Sequence, residues 1–159
     1  MTLQYSRVER LRDGFMVDPG PYLEILPELA GSLPPGAYRF VSDPEHYDFF
    51  SERAIKDLKI ERLELVDAFA VLGVELRLAY NELPDVPRLT ITYREVTNVS
   101  VDVRSGFQIR EDWIVAGIKR LGDVLIDEVR PSPQGCVHVM EMVHGAVSIT
   151  CKDLDAAWS

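Results

Sequence analysis

From Leu58 onward, apolar and polar residues alternate with a period of two, the spacing of half-buried β-strands. Ala70, Leu72, Val74, Leu76, Leu78 and Tyr80 fall on one face, with Val71, Gly73, Glu75 and Arg77 on the other. Leu89, Ile91 and Tyr93 alternate with Arg88, Thr90, Thr92 and Arg94; Val99, Val101 and Val103 alternate with Asn98, Ser100 and Asp102. Such strands give one face to a core and one to water, as antiparallel sheets do. Before Val71 the phase slips, because Leu58 and Ile60 lie on even positions and Leu63 and Leu65 on odd ones. A β-bulge at Glu61–Arg62 returns all four to one face, since one extra residue switches every side chain beyond it. With a tight turn at Asp67–Ala68, Leu65 then faces Ala70, Leu63 faces Leu72, Ile60 faces Val74 and Leu58 faces Leu76.

The period changes at residues 110–121, where Trp113, Ile114, Gly117, Ile118 and Leu121 recur at helical spacing. Acids at its start, Lys119–Arg120 at its end and Gly122 beyond it suit a helix dipole and a stop. Strands are expected at 123–130, 136–143 and 146–151. Tyr22–Gly31 reads as a short helix limited by Pro27, and Ser42-Asp43-Pro44-Glu45 as a helix start with proline at the first position. The pattern predicts an α+β fold: an antiparallel β-meander of about seven or eight strands with two or three short helices.

At 159 residues the chain fits a single domain, and 47% apolar residues suffice for its core. Charge divides it unevenly. Lys and Arg total 17 and Asp and Glu 26, a net −9, of which −6 falls within residues 13–50. That stretch also holds six of the ten prolines and seven of the fourteen aromatics. The expected organisation is an acidic segment, 1–50, packed on a β-rich body, 51–159. An acidic surface argues against nucleic acid, which needs a basic stripe. No apolar run matches a signal peptide or a membrane span, so the expectation is a cytoplasmic chain without membrane contact.

No phosphate-binding, dinucleotide, zinc or hydrolase motif appears, and no cofactor is expected. His138, Glu141 and His144 are metal-capable at spacing three and three, a set that converges on a helix. On a strand, which Val137, Val139 and Val143 favour, the two histidines stand about 20 Å apart with Glu141 on the opposite face. A turn at His144–Gly145 would set Met140 opposite Ile149, Met142 opposite Val147 and His138 opposite Cys151. A turn one residue earlier would set Cys136 opposite Cys151. The glycine and a reducing compartment favour the first register, with two free thiols. Asp123, Asp127 and Glu128 read as solvated carboxylates rather than an acid–base pair, because no partner histidine or pocket signal accompanies them. No residue stands in a nucleophile's context, and no catalytic or metal residue is assigned.

The most unusual local stretch is Asp43-Pro-Glu-His-Tyr-Asp-Phe-Phe50, three acids, one histidine and three aromatics in eight residues. Tyr47, Phe49 and Phe50 suit packing onto the sheet. Asp43, Glu45, His46, Tyr47, Asp48, Phe49 and Phe50 together also suit a recognition surface, aromatic anchors ringed by carboxylates, for a basic protein partner.

Residues 47–66 (YDFFSERAIKDLKIERLELV), the strands to Val103, a Trp-bearing segment and a last hairpin running into CKDLDAAW resemble small acidic bacterial immunity proteins of polymorphic toxin systems. Where that family carries a His-Asp-x-x-Ile element before its first long strand, this chain has Lys56-Asp57-Leu58-Lys59-Ile60. The resemblance implies a cytoplasmic inhibitor that neutralises a toxin by binding it, without chemistry of its own. Two other readings stand beside it. One is a small-molecule binder or enzyme with a pocket between sheet and helices, lined by Tyr80, Trp113 and Asp127; the other is a homo-oligomer built on a sheet edge.

Overall fold

In the computed structural model, which describes residues 1–104 and 120–159, period two governs most of the chain. The described strands and helices run β1 (Arg7–Leu11), β2 (Gly14–Asp18), α1 (Gly20–Leu29), α2 (Pro35–Ser42), β3 (Lys59–Asp67), β4 (Leu72–Ala79), β5 (Arg88–Arg94), β6 (Asn98–Val103), β7 (Val124–Ser132), β8 (Gly135–Met142), β9 (Gly145–Cys151) and β10 (Asp153–Trp158). The fold is α+β with antiparallel sheets. Instead of one meander there are a β1–β2 hairpin and two four-stranded sheets, ordered β10-β5-β4-β3 and β6-β9-β8-β7. The sequence reading lacked β1, β2 and β10, whose short segments alternate only weakly. The helix expected at 110–121 falls almost wholly outside the described residues.

The chain changes sheets twice at one corner. Between β5 and β6 it bonds Thr97 N–H to Thr150 O, and between β9 and β10 it bonds Lys152 N–H to Arg94 O. Leu76, Leu78, Leu89, Ile91, Tyr93 and Leu154 of one sheet thereby share a core with Val129, Met140, Met142, Val147 and Ile149 of the other.

The bulge between Ile60 and Arg62 is present, but the β3–β4 pairing is offset from expectation. Leu63 pairs with Leu76 and Leu65 with Val74, because residues 68–71 form a four-residue turn closed by Ala68 N–H on Val71 O at 3.2 Å. The tip therefore projects, and Leu65, Val66, Phe69 and Val71 lie exposed. The β8–β9 register is likewise corrected. Met142 pairs with Gly145, so His138 lies opposite Ile149 and Cys136 opposite Cys151. The two thiols are free and buried, their Sγ atoms 3.7 Å apart. Gly145 belongs to the strand, where any Cβ would come within 2.2 Å of Asp102 O, and the turn falls on Val143–His144.

Helix α1 carries Pro27 in its last turn, where the missing N–H removes the bond to the Leu23 carbonyl, and the helix ends two residues later, close to the expected limits. Ser42-Asp43-Pro44 ends a helix rather than starting one. Asp43 is extended (φ −60°, ψ 123°), the conformation that a following proline imposes, and the helix-starting proline is Pro35. Pro34 offers no side chain to cap α2. Asp153 of β10 does so instead, accepting from Gly36 N at 3.1 Å and Ala37 N at 2.9 Å.

Candidate functional site

Strand β7 carries Asp127 and Glu128, which alternation sends to opposite faces, and both are fully buried rather than solvated. Asp127 pairs with Met140 and its neighbour Val129 with His138, so Asp127 and His138 share the core face. There the carboxylate receives two histidines. His46 Nε2 lies 2.8 Å from Oδ1, and His138 Nε2 lies 2.7 Å from Oδ2. Tyr93, reaching across from the other sheet, places its hydroxyl 2.7 Å from His138 Nδ1. Tyr47 OH donates to the Asp127 backbone carbonyl at 3.1 Å.

The hydrogen-bond directions follow. An ionised carboxylate only accepts, so both imidazoles donate to it from Nε2, and toward a neutral His138 the Tyr93 hydroxyl is the donor to Nδ1. Burial alone would push Asp127 upward, but the His46 and His138 rings override it and hold the carboxyl well below its ordinary range. Burial pushes the Tyr93 and Tyr47 hydroxyls up, so both stay protonated donors. Phe40 meets the His46 ring edge-on at 4.3 Å and fixes its plane. A histidine backed by a carboxylate is held in one tautomer, the arrangement that orients a base. No hydroxyl or thiol among the described residues bonds to His46.

Glu128, on the other face, ties down the N-terminus. Its carboxylate accepts from Gln4 N at 2.5 Å, Tyr5 N at 3.2 Å and Ser6 N at 3.0 Å, and pairs with Arg130. Glu128→Ala should free residues 4–6, costing about 1–3 kcal/mol. Amide exchange there should rise while exchange in β8 and β9 is unchanged, which hydrogen–deuterium exchange would read.

Around these buried groups the 43–50 stretch forms successive turns. Its side chains divide: His46 is 3% exposed and Tyr47 packs on the core, while Glu45, Asp48 and Phe50 lie on the surface and Asp43 and Phe49 are half-buried. Asp43, Tyr47 and Asp48 line a groove of about 450 Å³ with Leu23, Pro27 and Tyr38 of the two helices. On its other side Asp43 helps line a pocket of about 160 Å³, together with Arg39, Phe40, His46, Arg53 and Trp158. The three residues expected to line a sheet–helix pocket fare differently. Tyr80 is exposed, both Asp127 oxygens are occupied, and Trp113 lies outside the described residues.

His138 and Glu141 stand on opposite faces of β8, and His144 lies in the following turn. Among the described residues no three His, Cys, Asp or Glu side chains cluster to hold a metal ion, and no helix is long and apolar enough to cross a membrane. Comparison with known proteins finds no matching family model, no similar curated protein and no similar solved structure.

The sequence reading missed the joining of Asp127 with His46, His138 and Tyr93. A signal for it exists. Asp127 and His138 are polar positions on faces otherwise apolar, and buried polar groups need partners.

Proposed function

We propose that this protein is a binding module for a basic polypeptide, in its most concrete form an immunity-type inhibitor that neutralises a basic toxin by occupying its surface. The observation that carries this reading is the groove between α1, α2 and the 43–48 turn. Its walls are apolar and aromatic (Leu23, Pro27, Tyr38, Tyr47), and Asp43 and Asp48 stand at its edge. Helix α1 adds exposed Glu24 and Glu28 and carries no base. Apolar anchors inside a ring of carboxylates favour a partner presenting an apolar or aromatic residue flanked by Lys or Arg. The charges speed and orient the encounter, and the anchors hold the complex.

A displayed peptide library panned on the immobilised protein tests this. Enriched sequences should combine Lys or Arg with an apolar anchor, and their affinity should fall steeply as salt shortens the Debye length from about 30 Å at 0.01 M to about 10 Å at 0.1 M. Asp48→Lys and Glu45→Lys should each weaken binding about tenfold, mainly through slower association. Enrichment of acidic peptides, or binding indifferent to both salt and charge reversal, would sink the reading.

A further inference from the structure

The pocket above His46 is distinct from the groove, and three of its polar groups carry unused capacity. His46 is 3% exposed and commits Nε2–H to Asp127, and Nδ1 has no partner among the described residues. With Nε2–H held by Asp127, the neutral ring presents its lone pair at Nδ1. Asp43 accepts the Glu45 backbone N–H with Oδ1 at 2.9 Å, leaving Oδ2. The Arg53 guanidinium has no hydrogen bond or ion pair among the described residues; only its backbone N–H is used, on Ser51 Oγ. The pocket's other charges answer one another, since Arg39 holds Asp155 at 3.1 Å and Arg94 pairs with it as well.

The unused groups are therefore one ring nitrogen acceptor, one carboxylate oxygen and one guanidinium. The formal charges of the pocket's Arg39, Arg53, Asp43 and Asp155 cancel. A bare anion would meet two carboxylates and a bare cation two guanidiniums, so selection favours a ligand carrying both signs. The volume of about 160 Å³ is roughly half that at which pockets for drug-sized ligands begin, about 300 Å³. We propose that this pocket binds a free α-amino acid as its zwitterion. The ammonium donates to Asp43 Oδ2 and His46 Nδ1, the carboxylate accepts from Arg53, and the side chain lies against Phe40, Ala156 and Trp158. The Asp127–His138–Tyr93 chain is what keeps His46 in the accepting tautomer, so no ordering of that ring is needed on binding.

The test uses the full chain and the proteinogenic L-amino acids, each in millimolar excess, read by thermal shift and by the ¹⁵N resonances of the histidine rings. At least one amino acid should raise Tm and move the His46 Nδ1 resonance. Its decarboxylated amine and its N-acetyl derivative should each bind at least tenfold more weakly. Arg53→Ala, a change at an exposed side chain that leaves the core intact, should cost at least tenfold, whereas Asp48→Lys in the groove should change nothing. No shift with any amino acid, equal binding of either derivative, or undiminished binding to Arg53→Ala would each overturn the proposal.

Discussion

Asp127→Ala should be the most damaging single substitution in the buried polar chain, lowering stability by about 3–5 kcal/mol. The wild-type carboxylate satisfies two imidazole N–H groups inside the core. Alanine leaves both donors buried without an acceptor and opens a void between the two imidazoles. Against a total stability of about 5–15 kcal/mol, Tm should fall by roughly 10 °C. Asp127→Asn separates charge from shape. Its amide oxygen can accept from only one ring, and its NH₂ must meet a lone pair on the other. His46 can supply that by moving its proton to Nδ1, whereas His138 must also reverse its bond with Tyr93. A smaller loss than for alanine is expected, with the proton on His46 Nδ1 visible in ring ¹⁵N shifts. The same change should abolish amino-acid binding in the pocket by turning an acceptor into a donor.

The pH dependence has a definite sign. The Asp127 carboxyl is depressed in the folded state, so its contribution is present above its unfolded value, about 3.9, and fades as pH falls below it toward the folded value. The stability difference between wild type and Asp127→Asn should therefore shrink as the solution is acidified below about pH 5. Urea titrations at successive pH values measure it. A difference that widened with acid would mean that the carboxylate is not the charge the two histidines hold.

How much of this was written visibly in the sequence depends on range. The strands at Leu72–Ala79 and Arg88–Arg94 and the bulge beside Glu61 follow from alternation alone, because one buried face forces period two. Where two turns differ by a residue or two, as at residues 68–71 and at Val143–His144, alternation fixes which residues share a face but leaves the cross-strand partners open. Gly145 pointed to the wrong turn because its small size serves a close approach to Asp102, not a bend. The site was least legible. His46, Tyr93, Asp127 and His138 come from a turn and three strands, and His46 lies 81 residues from Asp127. Nothing local distinguishes His46 from a surface histidine except its neighbours, and those are supplied only when α2 docks. The acidic character of residues 13–50 was legible, but its division between a groove and a polar core was not.

That docking of α2 is what Gly36→Ala should break. Alanine is the better helix former by about 1 kcal/mol, so propensity alone predicts stabilisation. Packing predicts the reverse. A Cβ at Gly36 would stand 1.9 Å from Leu154 O and 2.9 Å from Asp153 Oδ1, and the first of these is backbone that cannot rotate aside. Helix α2 must retreat by more than 1 Å, stretching both Asp153 bonds to its N-terminus, each a charge-assisted bond contributing about 1.5–3 kcal/mol. Phe40 moves with the helix and leaves the edge of His46. A net loss of about 2–4 kcal/mol is expected, together with weaker amino-acid binding. Gly31→Ala supplies the contrast, since Gly31 is exposed and nothing lies within 4 Å of its added Cβ. It should be neutral or stabilising by up to about 1 kcal/mol. Urea unfolding of the two variants side by side decides whether close approach or helix propensity governs position 36, and equal stabilities would mean that α2 is not held against β10 through this glycine.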